Sequence, residues 1–400
     1  MGETHYFVIL SHQNRGMRKI QMVDLTTQYE EIKDEIKLAF ERIIDTAAFI
    51  NGPEVDAFQR ELQEYLGVKH VIPCANGTDA LQIAMMGLGL EPGDEVITAD
   101  FTFAATVEVI ALLNLTPVLV DVDPRTFNIT PEAIARAITP KTKAIVPVHL
   151  FGQCADMEAI LALAKQHNLY VIEDTAQAIG ANYLFSDGRK QKAGTIGDIG
   201  ATSFFPSKNL GAYGDGGALF TNNDELAHII RGIVNHGMYK RYYHDVIGVN
   251  SRLDSLQAAV LRAKLPRLDA YCQRRRNAAR HYNRRLQVAA LITVPDTVRS
   301  CDGLCDACDC HVCHQYTLRI GGGKRDALAE KLSEAGIPYG IYYPVPLHRQ
   351  KAYADTRYNE ADFSVTNQLA EEVISLPMHT ELDSEQLDFI CDTILTFFNA

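Results

Sequence analysis

The sequence predicts an α/β fold: a large domain built on a mostly parallel seven-stranded sheet with helices on both faces, followed by a smaller α+β domain. Three observations carry this. Short, almost continuously apolar runs recur at 70–74, 95–98, 117–121, 143–148, 169–173, 201–205 and 217–221, as expected of strands buried on both faces. Helix-period segments at 79–87, 106–113, 131–138 and 157–167 separate several of them. Strand–helix–strand alternation implies parallel pairing through crossovers. Beyond a helical stretch at 255–286 the pattern changes to one strand (315–320), one helix (325–334), Tyr/Pro-rich loops and two C-terminal helices. Pro266 interrupts the long helical stretch. Proline has no N–H to donate and breaks a helix interior, so the domain boundary is placed there, giving 17–265 and 266–400. Residues 17–50 form an N-terminal arm of the large domain, and its helix at 28–45 is expected to pack on the smaller domain or on a second copy of the chain. Residues 1–16 read as an extension ahead of Met17.

Composition narrows the function. The chain has 400 residues, 47% of them hydrophobic and 22% charged, with a formal net charge of -12. That supports a large core and argues against disorder. An acidic chain without a long Lys/Arg run is not a general binder of nucleic acid or membrane surfaces. No apolar run reaches the roughly 18 residues of a transmembrane helix. The start, MGETHYFVILSHQNRG, lacks the basic segment and long apolar core of a secretory signal. The expected compartment is the cytoplasm, where thiols stay reduced.

Four polar stretches, each after a different strand, converge on one chemistry. Ser203-Phe-Phe-Pro-Ser-Lys208 leads from a strand into a segment with glycines at 211, 214, 216 and 217. A lysine held in such a loop loses water, which lowers its pKa and makes the amine nucleophilic. Glu173-Asp174-Thr-Ala-Gln177 ends another strand. A carboxylate there can keep a pyridinium nitrogen protonated, the condition under which pyridoxal phosphate acts as an electron sink. Cys74-Ala-Asn-Gly77-Thr78 leads into a helix, whose first N–H groups and hydroxyl make a phosphate site. Asp100-Phe101-Thr-Phe103 follows the next strand and offers an aromatic to stack on a flat ring. Taken singly, these are a surface loop, two helix caps and a core aromatic. Together they are a phosphate cradle, a ring stack, a ring-nitrogen carboxylate and an amine for one cofactor.

The chain resembles the DegT/DnrJ/EryC1/StrS family of pyridoxal-phosphate sugar aminotransferases from about Ile20 to its C-terminus. The resemblance rests on FINGPEV (49–55), CANGTDALQIA (74–84), GDEVITADFTFAAT (93–106), DVDPRTFNI (121–129), TKAIVPVHLFGQCADM (142–157), VIEDTAQAIGA (171–181), SFFPSKNLGAYGDGGALFTN (203–222), NHG (235–237) and GVNSRLDSLQAAVL (248–261). It implies the type I, aspartate-aminotransferase-like fold and pyridoxal 5'-phosphate as cofactor. It further implies that Lys208 binds the cofactor covalently and later shuttles a proton. Asp174 pairs with the ring nitrogen and Gln177 sits beside the ring hydroxyl. Gly77, Thr78 and Ser203 hold the phosphate. Phe103 stacks on the ring, with Phe101 the second choice. A homodimer with shared sites is implied, in which Asn250 reaches the phosphate from the partner and Arg252 grips an acidic group on the sugar. CANGTDALQ and SFFPSK are most similar to the branch that aminates C3 of a UDP-linked 3-oxo-glucuronate sugar, with glutamate as donor, for surface polysaccharide such as O-antigen. A C4 aminotransferase, a sugar dehydratase and a regulatory relative without turnover are the alternatives. Dehydratase relatives lack the lysine, which is present here. One departure stands out: where the family often has His-Tyr-Pro, this chain has Tyr342-Tyr343-Pro344. Tyr342 and Tyr343 are the expected sugar contacts, and a tyrosine does not titrate near neutrality.

One further segment, Cys301 to His314, reads CDGLCDACDCHVCH. Structural zinc sites usually present two separated Cys-x2-Cys knuckles, whereas these cysteines are crowded. The expectation is a loop with reduced thiols and no metal, outside the cofactor constellation, leading into the strand near Gln315.

Overall fold

The structure, a computed structural model, describes residues 17–297 and 309–399. Helices α1 (Leu25–Glu30), α2 (Lys33–Thr46) and α3 (Pro53–Leu66) lead into β1 (His70–Cys74) and α4 (Gly77–Gly87). Then come β2 (Glu95–Ala99), α5 (Ala105–Leu112), β3 (Thr116–Val120), α6 (Pro131–Ala137), β4 (Thr142–Val146), α7 (Met157–His167) and β5 (Tyr170–Asp174). A hairpin, β6 (Asn182–Leu184) and β7 (Lys190–Lys192), precedes β8 (Ile199–Ser203), β9 (Gly217–Thr221) and α8 (Asp224–Ile233). The main sheet has seven strands in the order β1-β9-β8-β5-β4-β2-β3. Its pairings are parallel except where β9 meets β1 and β8. Both faces are covered, so Val96, Ile97, Ile145 and Ile172 are buried along with their neighbours.

The antiparallel β9 has a direct consequence for function. Its first residue, Gly217, pairs with Cys74 at the end of β1 and with Ser203 at the end of β8. The loops that follow those two strands therefore leave the sheet side by side. Ligands of open α/β sheets bind at this carboxyl edge.

The second half runs through a hairpin of β10 (Met238–Lys240) and β11 (Tyr243–His244), then α9 (Ser255–Lys264) and α10 (Leu268–Leu286). After these come β12 (Ile292–Thr293), β13 (Tyr316–Ile320), α11 (Arg325–Glu334), α12 (Ser364–Glu372), β14 (Val373–Leu376) and α13 (Ser384–Asn399). The β12-β13-β14 sheet is antiparallel. It shares a second core with Leu328 and Leu332 of α11 and Ile390 and Ile394 of α13. Helix α10 belongs to both cores: Leu268 and Cys272 lie in the first, Tyr282 and Leu286 in the second. Ile20, near the start of the described chain, also joins the second core.

The early helix differs from expectation. It is two helices, because the backbone leaves helical geometry at Ile32, where φ is -129° and ψ is 6°. Nor does α2 spend its apolar stripe on the smaller core. Ile36, Ala39 and Ile43, spaced to share one face, pack on Ala259, Val260 and Ala263 of α9. Leu38 and Ile44 remain exposed. No described helix is long and apolar enough to cross a membrane.

Candidate active site

The cradle forms at the start of α4. Asn76 caps the helix, its Oδ1 accepting from the Asp79 N–H at 2.8 Å. The N–H groups of Gly77 and Thr78 have no hydrogen-bond partner among the described residues. They are the orphan donors of a helix N-terminus, with the positive end of the helix dipole behind them. Gly77 lets Ser203 come close: a Cβ there would lie 2.6 Å from Ser203 Cβ and 3.2 Å from its Oγ. The free N–H groups of Gly77 and Thr78 and the nearby Ser203 hydroxyl thus supply donors of the kind an anionic phosphate requires, with Thr78 in the same first turn. Ser251 braces the turn from outside, accepting from the Ala75 N–H at 3.0 Å and donating to Asp79 at 2.6 Å.

Side chains alternate along β5, so Glu173 and Asp174 face opposite ways. Glu173 is buried and fully used. It accepts from the N–H groups of Gly194, Ile196 and Gly197 and from His149 Nε2 at 2.9 Å. Asp174 accepts from Thr106 Oγ1 at 2.9 Å and from the Ala176 N–H at 3.1 Å. Those two donors set the plane of its carboxylate. Thr106 is an addition to the sequence reading. It sits inside the quoted GDEVITADFTFAAT stretch, but only the approach of α5 to β5 reveals its target.

Lys208 follows β8 in a loop locked by its own backbone, the Ala212 N–H donating to Phe204 at 2.7 Å. Its Nζ makes no hydrogen bond among the described residues. Burial pushes its pKa down to about 8, and the Asp174 carboxylate pulls part of the way back. The glycine segment beyond is held by α9: Lys264 Nζ donates to the Gly211 carbonyl at 2.8 Å, and the Tyr213 N–H donates to Gln257 Oε1 at 2.8 Å. Gly211 permits the turn, because a Cβ would meet the Pro206 carbonyl at 2.2 Å.

An aromatic wall closes one side. Phe103 is 60% exposed and lies beside Tyr343, ring centroids 6.4 Å apart. Phe101, by contrast, is a core residue packed against Phe127 and Phe151. Gln177 accepts from the Phe151 N–H at 2.6 Å and approaches the Tyr343 hydroxyl at 3.5 Å. Burial raises the Tyr343 phenol pKa, so it stays protonated. Tyr342 packs against Tyr343, centroids 6.2 Å apart. The loop bearing both is tied to the sheet by a buried pair. His348 donates to Asp100 through its N–H at 2.8 Å, and its Nδ1 lies 2.6 Å from the other carboxylate oxygen.

Lys208, Asp174, Gln177, Phe103 and Tyr343 are thus linked by contacts or by charge. Asn250 and Arg252 are not: no hydrogen bond or ion pair among the described residues joins them to this cluster. Asn250 is exposed, and the Arg252 guanidinium has neither kind of partner among the described residues.

The cysteine-rich segment needs a correction. Cys301, Cys305 and Cys308 lie outside the described residues. Among the described residues no group of three or more His, Cys, Asp or Glu is placed to hold a metal. The end of the segment, expected outside the constellation, is part of the site floor. Val312 and His314 pair with the Phe151–Gly152 loop, N–H to carbonyl at 2.9 Å each, and His314 Nδ1 lies 3.1 Å from Oδ1 of Asn209, the residue after Lys208.

Comparison with known proteins agrees with this architecture. A protein of Geobacillus stearothermophilus called "pleiotropic regulatory protein" is 47% identical over 381 residues, 95% of this chain and 98% of that one. A "UDP-2-acetamido-2-deoxy-3-oxo-D-glucuronate aminotransferase" of Pseudomonas aeruginosa is 45% identical over 372 residues, 93% and 98% of the two chains. The crystal structure of NtdA from Bacillus subtilis with bound cofactor PMP superposes with a TM-score of 0.86 at 29% identity, covering 98% of this chain and 87% of that one. The profile of the DegT/DnrJ/EryC1/StrS aminotransferase family matches residues 30–395. The chain belongs to the DegT/DnrJ/EryC1/StrS aminotransferase family.

Proposed function

We propose that this pyridoxal-phosphate sugar-nucleotide aminotransferase carries an amino group from glutamate to the C3 ketone of UDP-2-acetamido-2-deoxy-3-oxo-glucuronate, as a cytoplasmic homodimer. The observation that carries the reading is the convergence of a desolvated lysine, a braced carboxylate and an empty-handed helix N-terminus. These residues fit the cofactor: the free N–H groups of Gly77 and Thr78, with Ser203, match its phosphate, and Asp174 matches a pyridinium. When bound, pyridoxal phosphate spreads the negative charge left on a carbon that loses a proton. Lys208, Gln177 and Phe103 would hold the cofactor ring, Lys208 through its amine, Gln177 on the side of the ring hydroxyl and Phe103 over a face. The Lys208 amine, when free, would be the base that takes a proton from the donor's α-carbon and the acid that returns one to the sugar carbon. A base whose pKa is about 8 works near neutral pH, where both of its protonation states are populated.

The substrate assignment draws on the name of the Pseudomonas relative and on Arg252. A planar guanidinium binds a carboxylate through two hydrogen bonds, and this one has no partner among the described residues. The reading uses Asn250 and Arg252 of the partner subunit. Their loop adjoins exposed apolar side chains suited to a dimer contact: the Ser255 N–H donates to Phe49 at 2.9 Å, Ile50 pairs with Asp254, and both Phe49 and Ile50 are exposed.

The test is transfer from 15N-glutamate to three ketones: the UDP-3-oxo uronate, its uncharged 3-oxo counterpart and a 4-keto-6-deoxy sugar nucleotide. Label at C3 of the uronate is expected. Label only at C4 overturns the position, and no transfer to any ketone from any amino donor overturns the activity. The name of the Geobacillus relative favours a second reading, regulation without turnover. A single equivalent of amino sugar per site excludes it.

A further inference from the structure

His314 is held from every side, and each constraint narrows its chemistry. Its N–H donates to Phe151 at 2.9 Å, and its carbonyl accepts from Arg275 at 3.1 Å. Gly152 leaves no slack, since a Cβ there would lie 2.9 Å from the His314 nitrogen. The ring is buried, with Nδ1 3.1 Å from Asn209 Oδ1. The tautomer follows from the network. Asn209 Nδ2 is committed as donor to the Val312 carbonyl at 3.2 Å and lies 3.8 Å from Cys272 Sγ. Asn209 Oδ1 is therefore the acceptor, and the imidazole proton sits on Nδ1. Nε2 is left with a lone pair. It has no partner among the described residues, and it is not one of the sealed, unpartnered polar atoms. Burial, then the positive charges of Lys208 and Arg275, hold the ring pKa well below its ordinary value. Every effect acts the same way, so the ring is neutral at working pH.

We propose that neutral His314, by donating from Nδ1 to Asn209, is a positioning residue that keeps the adjoining Lys208 in its desolvated place. The inference rests on Lys208 being the cofactor lysine. The geometry explains why a histidine serves. An amide could donate to Asn209 equally well, but an amine or guanidinium would add a third cation beside Lys208 and Arg275. An alkyl side chain would leave the Asn209 carbonyl unpaired in a buried setting, at a cost comparable to a lost hydrogen bond. Freed from this tie, the Asn209 side chain turns toward water and Lys208 gains hydration, which favours its charged form.

The test needs neither substrate nor turnover. Apo protein is pulse-labelled with acetic anhydride from pH 6 to pH 11, and acetylation of Lys208 is read by mass spectrometry against other lysines. The wild-type amine is expected to titrate near 8. In His314→Leu and in Asn209→Ala, labelling at pH 7 should fall about tenfold, as for a rise of about one pKa unit. The double variant should fall no further than Asn209→Ala alone, which already lacks the His314 contact along with the bond to Val312. His314→Asn restores the donor and should label like wild type. Equal labelling of Lys208 in all variants overturns the proposal, and so does His314→Asn behaving like His314→Leu. If the leucine variant fails to fold, the wild-type ring decides: 15N-histidine spectra must show a neutral Nδ1–H tautomer that does not titrate from pH 6 to 9. A titrating or Nε2–H ring is the contrary result. Failure of sugar transfer leaves these readouts standing, so the two proposals fail separately.

Discussion

Lys264 closes α9 beneath the glycine segment and is 1% exposed. Its Nζ donates to the Gly211 carbonyl at 2.8 Å and lies 4.6 Å from the centre of the Tyr213 ring. No carboxylate among the described residues pairs with it, and burial alone pushes its pKa from 10.5 down to about 8. Below pH 8 the folded and unfolded chains both carry the proton, and the fold bears the full cost of a buried charge. Between pH 8 and 10.5 the folded protein has released that proton while the unfolded chain still holds it. Stability from this group therefore rises with pH. At 1.36 kcal/mol per unit, the whole window is worth about 3.4 kcal/mol, of which about 1.3 kcal/mol falls between pH 7 and pH 9. Lys264→Met removes the titration and keeps the bulk. Urea midpoints of both proteins at pH 7 and pH 9 isolate it, because every other titrating group is common to both. The wild type should gain about 1.3 kcal/mol on the variant between the two pH values. A difference that does not change with pH, or that moves in the variant's favour, refutes the reasoning.

Thr106→Val removes one of two donors to Asp174 and leaves a near-identical shape. A hydrogen bond to a charged acceptor is worth about 1.5–3 kcal/mol, so cofactor release measured by dialysis should be at least about tenfold easier. Asp100→Asn breaks the buried pair with His348. Its thermal unfolding should show a loss of about 3 kcal/mol, the order expected when one member of a buried pair is removed, with a rise in KM for the sugar as the Tyr342–Tyr343 loop loosens. Lys208→Ala and Arg252→Ala should each be inactive toward the uronate as homodimers. Mixing them under subunit exchange should restore activity, because one site of each heterodimer is then intact; no recovery in exchanged heterodimers argues against shared sites.

The strands were readable because parallel strands buried on both faces are almost wholly apolar, and β1, β2 and β5 fall within a residue or so of their expected spans. The direction of β9 was not readable. Gly217–Thr221 is as apolar as the parallel strands of the sheet, and only its register with Cys74 and Ser203 shows that it runs backwards. That reversal is what brings Gly77 and Ser203 together. Asp174, Gln177 and Lys208 were visible because each stands at a strand end or in a glycine-rich turn. Thr106, His314 and Lys264 were not. A threonine in an apolar helix reads as filler, and a lysine at a helix end reads as solvated. His314 was masked by the cysteines around it, because the segment read as a reduced loop outside the cofactor constellation, while its true neighbours lie far away in sequence, at Phe151 and Asn209.

The proposed chemistry turns on one amine, that of Lys208. Reducing the holoprotein with borohydride and mapping the pyridoxyl group by peptide mass spectrometry tests it most directly. The group should reside on Lys208, at close to one per chain, and prior incubation with glutamate should abolish its attachment. Attachment to Lys264 or another lysine, or labelling of Lys208 that glutamate leaves unchanged, would contradict the assignment of Lys208 as the cofactor lysine.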